Sequence, residues 1–191
     1  MRARILYYIR RFDDGIAVAP HPSMRKLGVL VVLVLQPILH GQSDRVHRRV
    51  QVPASFAQIM VRQAIAGARR RLGDPGCQQV LSDYADAAGN SLQRSLEVRG
   101  RTPAEFLSEL WFADGTGEPP CENGVTAAYT TPGSRVVFVC AARFASAVDA
   151  LCGPAGEIII IHELLHALGL GENPPTSEQI TRRVWRRCGD V

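Results

Sequence analysis

Apolar side chains recur at near-helical spacing across residues 54–72, where Phe56, Ile59, Met60, Ile65 and Ala68 predict a first amphipathic helix. Arg69, Arg70 and Arg71 fill its last turn and Gly73 follows, a pattern that suits the negative end of a helix and its exit. Asp74-Pro75-Gly76 reads as a turn, and residues 77–88 read as a short helix through Val80, Leu81 and Tyr84. Gly89-Asn90 punctuates the chain, and residues 91–98 predict another short helix. Thr102-Pro103-Ala104-Glu105 has a capping threonine, proline at the first helical position and glutamate three after the threonine, so it opens a helix through Phe106, Leu107 and Leu110. Residues 114–120 form a loop rich in Gly and Pro.

Residues 125–130 and 135–140 are rich in β-branched side chains and flank Thr131-Pro132-Gly133-Ser134, which predicts a β-hairpin. After Pro154-Ala155-Gly156 comes an apolar stretch, residues 157–170, containing four consecutive isoleucines. Such a run fits a buried strand or a buried helix equally well; its length and the following Leu-Leu-His-Ala-Leu favour helix. Thr176-Ser177-Glu178-Gln179 is a second capping box, and Ile180, Val184 and Trp185 continue it at helical spacing. Helices, one hairpin and a long late helix together predict an α+β fold, mostly helical, with the hairpin able to belong to a small sheet.

The late helix carries the chemistry. His162 and His166 are four residues apart and therefore share one helix face, where two imidazoles can hold one Zn²⁺ at about 2.0–2.1 Å each. Glu163 follows the first histidine, so its carboxylate can act as base on a zinc-bound water without itself ligating. Two histidines and a glutamate left unligated in so apolar a stretch would be costly to bury. A catalytic zinc needs a third protein ligand, and His47 lies far away in a polar N-terminal stretch. Glu172 is the nearer candidate, because Gly169 and Gly171 permit a left-handed turn that swings it back toward the metal. Glu178 is the rival third ligand, although a glutamate in the first turn of a helix is also explained by the helix dipole.

The segment His162-Glu163-Leu164-Leu165-His166-Ala167-Leu168-Gly169-Leu170-Gly171-Glu172 resembles the active-site helix of the metzincin branch of zincin metallopeptidases. It matches that motif at both histidines, the glutamate and the glycine, and departs from it at Glu172, where the family pattern has a third histidine. Metzincins also place a methionine turn beneath the metal, and this chain has methionine only at positions 1, 24 and 60. The resemblance therefore covers the helix and its exit turn. The stretch from Gly171 to Ser177, with the hairpin ahead of it, is similar to small exported bacterial proteins of uncharacterised zincin type. That similarity implies export and zinc, while the resemblance to zincin metallopeptidases implies a zincin-like domain with Zn²⁺ as cofactor and a peptide or protein as substrate.

Charge and cysteines refine this picture. The net charge of +4 comes entirely from residues 1–41; the rest of the 191-residue chain holds 16 basic and 16 acidic residues, which argues against nucleic acid as a partner. Met24-Arg25-Lys26, the apolar run Leu27 to Leu35, Pro37 and Gly41 read as a signal peptide, residues 24–41, with Met24 the start and cleavage near Gly41. Residues 1–23 are then an over-extended start or a dispensable extension, residues 42–53 a flexible lead-in, and residues 54–191 the metallopeptidase domain. The expected protein is exported and free of the membrane once cleaved; the alternative is an uncleaved N-terminal anchor, with an apolar run short of the roughly 20 residues of a spanning helix. Cys77, Cys121, Cys140, Cys152 and Cys188 form no Cys-x-x-Cys pair and suggest disulfides in an oxidising compartment. The expected pairs are Cys140 with Cys188 and Cys77 with Cys121, leaving Cys152 over. The four arginines Arg182, Arg183, Arg186 and Arg187 read as a solvated face or, alternatively, as a grip for acidic substrates. The leading functional expectation is an exported zinc metallopeptidase; the alternative is a non-catalytic, zinc-stabilised binding domain.

Overall fold

The first helix, α1 (Phe56–Arg71), buries Ala57, Met60, Val61, Ala64, Ile65 and Ala68, a stripe one residue-wide step away from Ile59, which is 56% exposed. The computed structural model describes residues 50–52, 56–151 and 153–191. The expected leader, its start and cleavage point, His47 and Cys152 lie outside the described residues. Among the described residues no helix is long and apolar enough to cross a membrane.

The chain is a mixed α/β, mostly helical structure with a small sheet. After α1 come α2 (Pro75–Gln78) with a 3₁₀ turn (Gln79–Leu81), α3 (Leu92–Val98), α4 (Pro103–Leu107) and α5 (Pro119–Glu122). The last three helices are α6 (Ala141–Leu151), α7 (Ala155–Ala167) and α8 (Ser177–Cys188). The strands are β1 (Val50–Gln51), β2 (Trp111–Asp114), β3 (Ala128–Tyr129) and β4 (Val136–Val139), in spatial order β1-β2-β4-β3. β3 and β4 form the expected antiparallel hairpin, while β2 lies parallel to β4, with Trp111 opposite Val136 and Asp114 opposite Val139. β1 pairs in parallel with β2, so Val50 and Gln51 belong to the sheet although they fall in the stretch read as a flexible lead-in.

Helix α7 runs through the middle of the core. Ile158, Ile160, Ile161, Leu164 and Leu165 are all at most 1% exposed, which is why this helix is apolar on nearly every side. It packs mainly against α1 and α8. At Gly156 a Cβ atom would press within 3.0 Å of both Ala64 and Val148, so glycine permits the close approach of α1, α6 and α7. Arg71, from the triple arginine, pairs with Glu157 and donates to the carbonyl oxygens of Cys188 and Gly189, holding the end of α8 against α1.

Both capping boxes form: Thr102 with Glu105 on α4, and Thr176 with Gln179 on α8. The helix expected over 77–88 does not. Its helical part ends at Leu81, and further along the Asp86 carboxylate accepts from the backbone N–H of Ala88 and Asn90 and turns the chain locally. On α8, Ile180, Val184 and Cys188 are buried, whereas Trp185 is 39% exposed.

The cysteine pairing differs from the expectation: Cys77 bonds Cys188, and Cys121 bonds Cys140. The topology explains the exchange. α2 packs on α8, bringing Cys77 to the last turn of that helix, while α5 sits beside the end of β4 and brings Cys121 to Cys140.

Candidate metal centre

At its C-terminal end α7 stops in a defined way. The N–H of Gly169 donates to the carbonyl of His166 (2.8 Å) and the N–H of Leu170 to that of Leu165 (3.1 Å), the paired bonds of a Schellman closure. Gly169 carries it with φ of +114°, a conformation open to glycine and strained for other residues; Gly171 does not share it. The N–H of Gly133, at the tip of the hairpin, donates to the same His166 carbonyl (2.9 Å), so the turn between β3 and β4 is docked on the last turn of α7.

This exit brings Glu172 back over the helix. Its Oε1 lies 3.3 Å from His166 Nε2 and 3.9 Å from His162 Nε2, and the two Nε2 atoms are 3.0 Å apart. Donor atoms of all three residues lie within 4.8 Å of one another. Ligands at about 2.0–2.1 Å with tetrahedral angles would stand roughly 3.3–3.4 Å apart, so the three observed separations bracket that spacing. Two neutral imidazoles and a carboxylate are also a fitting donor set for zinc.

The outer nitrogens of both rings are engaged. His166 Nδ1 donates to the carbonyl oxygen of Leu170 at 2.7 Å, and His162 Nδ1 lies 2.9 Å from the hydroxyl of Thr181 on α8. Each ring is thereby turned so that Nε2 faces the cluster. Burial, with the neighbouring His166 adding to it, pushes His162 down to about 3, so the ring is neutral at ordinary pH, as a metal ligand must be.

Glu163 is 4% exposed and lies in the same cavity. Burial pushes its carboxyl up to about 8; the Thr130 hydroxyl pulls the other way and the charge of Glu172 adds to the rise. The opposing pull is incomplete, since Glu163 Oε2 and Thr130 Oγ1 both lack a hydrogen-bond partner among the described residues. A buried carboxylate oxygen with no partner is costly in a purely structural role.

The cavity measures about 780 Å³. Its floor is α7, through Ile159, His162, Glu163 and His166. One wall is α8, through Ser177 and Thr181; the other is β3 and the segment before it, through Pro120, Val125, Ala128 and Thr130. Among the described residues, Glu163 and Glu172 are the only Asp, Glu, Lys or Arg in this lining.

Among the residues the motif singled out, His162, Glu163, His166 and Glu172 come together, and Glu178 does not. Glu178 is exposed and pairs with Arg182 at 3.5 Å on its own helix. Arg183 and Arg187 are turned toward Asp83, and none of the four C-terminal arginines lines the cavity. Thr181, Thr130 and the Leu170 carbonyl were missed by sequence reasoning. Thr181 is one polar residue on an amphipathic helix, and its partner is 19 residues away in sequence, so no local pattern marks it. Comparison with protein-family models, curated proteins and solved structures gives no match for this chain.

Proposed function

We propose that this chain is a zinc-dependent metallopeptidase in which His162, His166 and Glu172 hold the metal. The observation that carries the reading is the convergence of those three donor groups beside the buried carboxylate of Glu163, whose Oε2 has no hydrogen-bond partner among the described residues. Zinc bound there supplies a Lewis acid that polarises a carbonyl and lowers the pKa of water to about 7. Glu163, one residue past the first ligand and facing the same cavity, takes a proton from the attacking water and returns it to the leaving amine. β3 is the edge strand of the sheet, and Ala128, Tyr129 and Thr130 line the cavity. Its free edge aligns an extended peptide by strand addition across the metal. The two disulfides support export to an oxidising compartment.

Metal analysis of the purified protein is the first test, with one zinc per chain expected; a chain that takes up no zinc ends the proposal. Glu163→Gln should keep the metal and lose cleavage of peptides by about 10²–10⁴-fold. Zinc bound by the wild type without cleavage across a broad peptide library would point instead to a binding domain that retains this helix.

A further inference from the structure

Thr130 follows directly on β3. Tyr129 stacks on Phe138 on one side of the sheet, with ring centroids 5.1 Å apart, whereas Ala128 and Thr130, each 9% exposed, turn to the other side. Val139, opposite Ala128, and Val137 are fully buried. A valine has the shape of threonine, suits a strand as well and would bring no hydroxyl into this setting. Yet Thr130 Oγ1 is fully buried and has no hydrogen-bond partner among the described residues, a costly state for a hydroxyl. The other two threonines of the cavity are engaged: Asn123 Nδ2 donates to Thr126 Oγ1 (2.7 Å), and Thr181 Oγ1 lies 2.9 Å from His162 Nδ1. Glu163 has the matching feature. Its Oε2 is fully buried and equally unpartnered, and Thr130 is the side-chain hydrogen-bonding neighbour of that carboxyl. The two residues line one cavity, Glu163 from α7 and Thr130 from the strand wall. Their spacing is set by the hairpin contact: Gly133, three residues after Thr130, donates to the carbonyl of His166, three residues after Glu163.

We propose that Thr130 is the positioning residue of Glu163, its hydroxyl donating to Oε2 and so leaving Oε1 for the attacking water. The last torsion of a glutamate is broad, so a carboxylate held at neither oxygen spends little time aimed at a nucleophile. One bond between the two residues satisfies both orphaned oxygens and removes that freedom. Thr130 itself neither takes nor gives a proton in the reaction. It also ends the strand whose edge receives the peptide, so substrate and base are placed by the same element. The inference rests on the metallopeptidase reading above and adds to it a residue that lies outside the helix motif.

The test compares Thr130→Val and Thr130→Ser with the wild type in the full, zinc-loaded chain. Thr130→Val should lower kcat for peptide cleavage about 10- to 100-fold, with KM and zinc content unchanged, and Thr130→Ser should keep the wild-type kcat. A second measurement needs no activity: urea midpoints of the wild type, Thr130→Val, Glu163→Leu and the double variant. Thr130→Val should lower the midpoint when Glu163 is present and leave it in place in the Glu163→Leu protein, where the hydroxyl has lost its partner. An undiminished kcat in Thr130→Val overturns the inference, as does a loss carried by KM alone or one that serine does not restore. A midpoint shift equal in both backgrounds overturns it as well. If the wild type binds no zinc or cleaves no peptide, the metallopeptidase reading falls and the catalytic role of Thr130 with it, while the urea comparison still decides whether Thr130 holds Glu163.

Discussion

The two walls of the cavity are built to different standards. The α8 wall, which supplies Thr181 and begins at Ser177 after the short segment that follows Glu172, is tied to distant parts of the chain: Cys188 to Cys77, Arg187 and Arg183 to Asp83, and its last carbonyls to Arg71. The opposite wall, β3 and residues 120–127, is a two-residue edge strand held by β4, by the Gly133 contact to α7 and by the Cys121–Cys140 bond close in sequence. The difference follows from what each side must do. On the proposed reading, ligand geometry would tolerate little displacement, which suits a side fixed by long-range ties, whereas a strand that received a peptide would need an open edge and tolerate local anchoring.

Breaking the long tie should have the largest effect. Cys77 and Cys188 close a loop with a sequence separation of 111, and the chain-entropy estimate for such a loop is about 5 kcal/mol. The double variant Cys77→Ala/Cys188→Ala should lose that much in urea unfolding and bind zinc more weakly, because α8 is released from behind His162. An unmoved urea midpoint would show that Arg71 and Asp83 suffice to hold the helix. Cys121 and Cys140, separated by 19 residues, are worth about 3 kcal/mol on the same estimate. Their removal should leave zinc affinity unchanged and raise KM for peptides, since the freed segment lines only the substrate side. If both double variants weaken zinc equally, the division of labour between the walls is wrong.

Much of the metal side was legible in the chain. Histidines four apart inside an apolar helix fix a shared face, and Gly169 marks where the helix turns back, so Glu172 was reachable from spacing alone. The capping box at Thr176 placed the start of α8 for the same reason: its determinants are local. The substrate side was legible only as a hairpin. β2 is four residues long with one fully buried side chain, Phe112, and exists because β1 and β4 flank it, which no short pattern reveals. α6 turns Ala141, Phe144, Ala145 and Val148 to the core at helical spacing, but among its described side chains Phe144 is the one large, fully buried residue, so the stripe is made mostly of small residues that carry little signal. The disulfide pairing and the Thr181 contact depend on which helices pack together. That information arises in the tertiary structure.

The smallest expected effect concerns the outer edge of the α8 wall. Asp83 accepts from Arg187 Nε (2.9 Å) and Nη2 (3.0 Å), with Arg183 3.4 Å away. The Arg187 hydrogen bonds hold its carboxyl below the usual value of 3.8, against the raising effect of burial, and the charges of both arginines add to the lowering. The folded pKa is therefore below the unfolded one, so the ion pair contributes stability that is fully present above the unfolded value. That contribution is lost as pH falls through 3.8 toward the folded value, because the unfolded chain takes up the proton first. Asp83→Asn should lower stability at neutral pH by less than either disulfide does. Its difference from the wild type should shrink as pH drops below about 4, when the wild-type carboxylate is protonated as well. Parallel urea titrations across that range measure the difference directly. A constant gap between the two proteins at every pH would mean that Asp83 acts through packing and not through its charge, and that Cys77–Cys188 and Arg71 alone set the position of α8.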